Sequence, residues 1–391
     1  MDQDGGRRRA PSLPAPFSTL PQDLLQEILL RLPPHPFHLT TASRVSSDWR
    51  RAVRDEDFLC RVRRHHRTPA VVGFFGNHPD RSFVTPDAVG GRERFAAQIL
   101  DDGPWWAYGC RHGRVLLHQR ARGELLVSDL ITRQNHCLHT PPAYMPWCDS
   151  LGTVLCADDH EHGDCHARPF LVAFLFVNRG RNGMFACVYS SETEEWGEVS
   201  SIPSTFAYID MDAKHTLLVG HTIYWMVSIF SILKYDLDTH TLDVVAEKPF
   251  NVSIRSEDDI VVLPADDGGL GIVGVEGFHL KFWSRKRNDD GVLVWTVYRS
   301  IDLKRYLKPR HLMRLTQNYK TPETIAVAED AQAIFILLDC SVYSLHLRSM
   351  KFKKVLRRGH FTRMIHPYST FYTPGVNPGA GDGPAEDLDG A

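Results

Sequence analysis

The chain has 391 residues, 45 basic and 47 acidic, with a formal net charge of −2. That balance argues against a global electrostatic pull towards nucleic acid or an anionic membrane. A folded body of about 300 residues buries about 75% of its unfolded surface, so neither disulfides nor metals are needed to hold it. The eight cysteines include no Cys-x-x-Cys pair. They read as buried thiols of an intracellular protein, cytoplasmic or nuclear, rather than as a disulfide framework.

Residues 1–16 are polar and rich in Gly, Arg and Pro, and are expected to be a disordered tail. Arg7 to Arg9 are too few for a nuclear signal, and no apolar stretch follows them as in a secretory leader. Residues 17–66 read as a helical module. Pro21 suits a first helical position and Asp23 a first turn. Leu24, Leu25, Ile28, Leu29 and Leu32 form one apolar stripe, which Pro33-Pro34 ends. A second helical stripe follows: Leu39, Ala42, Val45, Trp49 and Val53. Asp55 can then cap a short helix bearing Phe58, Leu59 and Val62.

From residue 67 to 373 the texture is that of strands. Short apolar runs such as VVGFF (71–75), TIYWMV (222–227) and AIFILL (333–338) alternate with polar turns. The longest apolar run, Phe170 to Val177, is far too short to span a bilayer. A weak repeat links VSDLITRQN (127–135), VYSSETEEW (188–196), KYDLDTHTL (234–242) and SLHLRSMKF (344–352). Each leaves a strand, turns, and enters another, with Thr132, Thr193, Thr239 and Ser349 in the same place. KFWSRKRNDDGVLVW (281–295) is a longer fifth copy. Spacings of about 45 to 60 residues are those of propeller blades, and about 300 residues then give about six. An irregular sandwich is the rival fold. Residues 374–391 are Gly-, Pro- and Asp-rich and are expected to be a second disordered tail.

The string STLPQDLLQEILLRLPPHPFHLTTASRVSSDWRRAV, within residues 18–58, resembles an F-box. The resemblance implies docking to a Skp-type adaptor, and through it to a cullin–RING ubiquitin ligase. The residues carried over are Leu20, Pro21, Leu24, Leu25, Ile28, Leu29, Leu32, Pro33, Val45 and Trp49. These would face the adaptor or support the helices that do. A module of about 45 residues is too small to bury both stripes alone, which fits a partner surface. Ser46, Ser47 and Asp48 depart from the Cys and basic residue that the family often has before the Trp, and Phe37 to Thr41 is less apolar than usual. Residues 57–75, 188–196 and 235–242 are similar to the region that follows the F-box in large plant families. That implies a substrate-recruiting β domain.

Four other patterns point to nothing catalytic. Gly269-Leu-Gly271-Ile-Val-Gly274 matches a dinucleotide fingerprint, but a strand-like segment follows where a helix would be needed. Cys156, His160, His162, Cys165 and His166 crowd an acidic loop without a structural zinc spacing, and read as a solvated loop without metal. The basic run Arg61 to Arg67 reads as a helix end rather than a nucleic-acid surface, and the Asn251 sequon reads as chance. The expected protein is a non-enzymatic substrate-recognition subunit without cofactor. The alternative is a propeller enzyme or sugar-binding propeller whose helices merely pack.

Overall fold

The computed structural model describes residues 20–76, 83–84, 86, 105–130, 132–157, 165, 168–203, 216–228, 231–245, 260–309, 312–313, 321–338, 341–357 and 365–371. Both expected tails, Asn251, and His160, His162 and His166 lie outside them.

Four helices come first: α1 (Gln22–Leu30), α2 (Pro36–Ala42), α3 (Ser47–Arg54) and α4 (Glu56–His66). Pro21 is the N-cap of α1, one residue before the expected first helical position. The second stripe is not one helix but two. The break has a local cause: the Ser46 hydroxyl accepts the Trp49 N–H at 3.3 Å and starts α3 afresh, with Asp48 in its first turn. Asp55 caps α4 as expected, its carboxylate accepting the Phe58 N–H at 2.7 Å. The basic run is the last turn of α4, where cations suit the negative helix end, and Arg67 closes it in the left-handed region. Leu25, Leu29, Leu39, Ala42, Ala52, Val53, Phe58, Leu59 and Val62 form one small core within this module.

The rest is a six-bladed propeller of antiparallel sheets. Blade 1 runs from Trp106–Arg111 through Arg114–Gln119 and Glu124–Asp129 to Asn135–His139. Blade 2 takes Asp149–Cys156, Phe170–Asn178, Gly183–Ser190 and Glu195–Trp196, with Ser200–Pro203 on the same third strand. Blade 3 takes Thr216–Val219, Thr222–Ser228, Ser231–Asp236 and Thr241–Val245. Blade 4 takes Ile260–Pro264, Leu270–Glu276, His279–Arg287 and Leu293–Asp302, and blade 5 Glu323–Ala328, Ala333–Leu338, Ser341–His346 and Phe352–Arg357. Blade 6 joins the two ends of the domain. Its inner strand is Ile365–Thr370, paired to Ala70–Gly76, with Phe83–Val84 outside. This pairing closes the ring and removes the free edges an open sheet would expose.

Every pair of neighbouring blades encloses its own apolar cluster. The run Phe170 to Val177 shows why an unbroken apolar string is a strand here. Phe170, Val172, Phe174 and Phe176 face the blade 1 side, whereas Ala173, Leu175 and Val177 face blade 3. A strand buried on both faces has no polar side to show.

The sequence repeat is the turn between the third and outer strands. Arg133, Glu194, His240 and Met350, one residue beyond the aligned Thr or Ser, all take positive φ. In blades 1, 3 and 5 the side chain three residues before the Thr or Ser accepts that residue's N–H: Asp129, Asp236 and His346. The glycine triplet lies in a hairpin of blade 4. Gly269 follows the turn, Gly271 and Gly274 are inside the second strand, and a Cβ on Gly271 would come 3.0 Å from the Leu263 carbonyl oxygen.

Candidate functional site

The helical module divides the resembling residues into two sets. Leu25 and Leu29 are 3% and 1% exposed, whereas Leu24, Ile28 and Val45 are 53%, 43% and 58% exposed. Residues 24 and 28 share one face of α1 and 25 and 29 the adjacent one, as the helical period dictates. Leu32 and Trp49 pack against the module's core from its rim. Pro21 and Pro33 are exposed and Leu20 is half-buried. Arg61 of α4 clamps the polar side of α1, donating to Gln26 at 3.0 Å and Glu27 at 2.6 Å. The module thus hides one face of α1 itself and leaves Leu24 and Ile28 exposed together on the other, while Val45 is exposed in the turn between α2 and α3. Among the described residues no helix is long and apolar enough to cross a membrane.

The strand order gives the propeller two unlike faces. One carries the turns from first to second and from third to fourth strand, and the chain enters the propeller there, at Ala70. The other carries the connections between blades, among whose described residues are 140–148, 303–309 and 312–313. Met145, Trp147 and Met313 lie on these connections, and Trp106 begins the inner strand of blade 1. All four are exposed, Trp147 to 77%. Large apolar side chains in the open are characteristic of interaction surfaces.

The turn face ends in a buried charged knot on the axis. Arg111 grips Glu329 with both guanidinium nitrogens at 3.0 Å and donates to the Thr216 carbonyl at 3.3 Å, tying blades 1, 3 and 5. Burial pushes the Glu329 carboxyl above the usual range, against the pull of Arg111. The His112 N–H donates to Asp330 at 3.2 Å, and its ring nitrogen Nδ1 lies 3.6 Å from the same carboxylate. Composition and motifs point to none of these four. A His-Gly pair between alternating strands signals the hairpin turn, but not what it meets across the ring.

Cys156 and Cys165 are also at this face, and the reading of a solvated loop does not hold for them. Cys165 is buried, Cys156 half-buried, and the two thiols hydrogen-bond. Arg114 explains the local order: it donates to the carbonyls of Cys165 and Arg168 and lies 5.1 Å over the Phe170 ring.

One buried chain has the residue types of a hydrolase. The Tyr108 hydroxyl lies 2.6 Å from His118 Nδ1 and 2.7 Å from Ser150 Oγ. Ser150 and His118 have no solvent exposure, and burial, with Arg120 nearby, holds the His118 pKa down to about 3. A serine that no substrate can touch cannot act as a nucleophile, and a base must reach the proton it takes. This network braces blades 1 and 2.

Residues 17–61 match the F-box domain model, and residues 106–375 match the model of the F-box protein AT5G49610-like β-propeller. No curated protein matches the chain. Solved structures similar to it include a Bacteroides thetaiotaomicron structural genomics protein of unknown function, at 11% identity and a TM-score of 0.38, covering 72% of this chain and 66% of that one. A PQQ-bound aldose sugar dehydrogenase from Streptomyces coelicolor has the same identity, TM-score and share of this chain, with 91% of its own covered. An oligogalacturonate lyase in complex with manganese is 10% identical with a TM-score of 0.32, over 63% of this chain and 62% of that one. Likeness this distant carries nothing about activity. Four helices with an F-box match, followed by a six-bladed propeller matching over more than half of the chain, settle the family. The chain belongs to the F-box proteins with an AT5G49610-like β-propeller, whose organisation is that of a substrate receptor.

Proposed function

We propose that the protein is the substrate-recognition subunit of a Skp–cullin–F-box ubiquitin ligase and performs no chemistry itself. The observation that carries this is the apolar face of Leu24 and Ile28 on α1, left exposed by a module that buries its other stripe internally, with Val45 exposed as well. Helical ridges of this kind bind by laying apolar side chains into a partner groove. Leu20, Pro21, Leu24, Ile28, Val45 and Pro33 form the docking edge, and Leu25, Leu29, Leu32 and Trp49 hold the helices under it. The target binds the opposite, inter-blade face, with Trp147 as its anchor. The protein works inside the cell, in cytoplasm or nucleus.

Leu24→Asp and Ile28→Asp test this. Each places a carboxylate at the centre of the docking edge, where burial without a partner is strongly disfavoured. Both should abolish co-purification with a Skp-type adaptor and leave the circular dichroism spectrum unchanged. Undiminished adaptor binding by both would defeat the proposal. Proteins retained by Leu24→Asp and lost by Trp147→Ala are the target candidates. If Trp147→Ala loses none of them, the inter-blade face is not the recognition surface.

A further inference from the structure

The ends of two inner strands and one distant segment bring three metal-ligating side chains together on the turn face. His112 follows the inner strand of blade 1, Cys156 ends that of blade 2, and Cys165 returns beside it before the second strand. One ligand atom from each lies within 4.8 Å of the others. Tetrahedral zinc separates its sulfur and nitrogen donors by about 3.3 to 3.8 Å, given bonds of about 2.3 and 2.1 Å, so small side-chain shifts suffice. We propose that His112, Cys156 and Cys165 bind a zinc ion.

Donor chemistry selects the metal. Two thiols and an imidazole are a soft-to-borderline set, which suits zinc and not magnesium or calcium. Binding is a ligand exchange: each thiol releases a proton as its sulfur bonds the metal, and the neutral imidazole lends a lone pair. Two thiolates cancel the charge of Zn²⁺, so the half-buried site gains no net charge. Asp330, 3.6 Å from His112 Nδ1, supplies the carboxylate that orients many zinc-bound histidines. The site is held before the metal arrives, because Arg114 fastens the Cys165 and Arg168 carbonyls and Asp330 fastens the His112 backbone. The His112 side chain is 8% exposed and Cys156 is half-buried, so the site is largely shielded from solvent. Such an ion would staple blade 1 to the end of the inner strand of blade 2 and to Cys165.

The test loads the full-length chain with zinc under reducing conditions, removes loose metal by gel filtration, and counts ions by elemental analysis. One zinc per chain is expected, falling to none in Cys156→Ser/Cys165→Ser. His112→Asn, which tolerates positive φ, should weaken retention. Cobalt in place of zinc should give a thiolate-to-metal charge-transfer band in the wild type, a readout independent of how any variant folds. Three results overturn the proposal: a metal-free wild type after loading, full stoichiometry in the double variant, or a native Cys156–Cys165 disulfide that excludes metal.

Discussion

The two modules solve the burial problem in opposite ways. The propeller buries every blade on both sides, in six inter-blade clusters, and joins its ends by pairing Ala70–Gly76 with Ile365–Thr370. The helical module has one small core and an apolar edge it does not cover. The difference shows where each can make contacts. A ring that is complete in itself recognises others through what projects from its rims, such as Trp147, whereas an incomplete bundle offers part of its own interior.

Opening the ring should have the largest effect. A chain ending at Arg357 lacks the inner strand of blade 6, which bares the edge of Ala70–Gly76 and the clusters on both sides of that blade. It should aggregate and lose its cooperative thermal transition, while a chain ending at Phe371 keeps both. A soluble Arg357-terminated monomer with the full-length transition would show that closure is dispensable.

Deleting one aromatic side chain in each core separates the modules next. Trp225 is fully buried between blades 2 and 3, and Phe58 is fully buried among the helices. Trp225→Ala should cost the propeller about 3–5 kcal/mol, from lost contacts and the cavity left behind. Phe58→Ala should melt the helices and abolish adaptor binding without moving the denaturant midpoint of the propeller. If both substitutions shift one shared transition, the chain unfolds as a single unit and the contrast drawn above fails.

A third test uses acid. Burial holds the pKa of His118 at about 3, with Arg120 adding to it, and that of His366 at about 4. Both lie below the usual 6.5, so the folded propeller refuses protons that the unfolded chain accepts. The stability from the neutral rings is complete above pH 6.5 and drains as pH falls from there towards 4. Each ring contributes about 1.4 kcal/mol per pH unit within that window. Denaturant midpoints at pH 7 and pH 5 read this, and His118→Gln should flatten the slope. A midpoint that does not move between those values would mean that the rings protonate in place.

Local features were legible in the sequence because their causes are local. The period of α1, the Asp55 cap and the recurring turn at Thr132, Thr193, Thr239 and Ser349 each arise within a few residues. The break at Val45 was not read: Ser46 is a good N-cap, but a helical spacing running through it masked the signal.

By itself the amino-acid sequence determined the helices, the strand-rich texture, the blade repeat and the set of apolar side chains from which the docking edge is drawn. Periodicity and turn chemistry act over a dozen residues at most. Only the tertiary structure decided that Leu25 and Leu29 turn inward and Leu24 and Ile28 outward. Both pairs obey the same period, and the difference is where α3 and α4 pack. It alone decided that Arg111 meets Glu329, and that His112 meets two cysteines more than forty residues away. Those neighbours exist because six blades converge on one axis, and convergence belongs to the closed ring and to no segment of the chain.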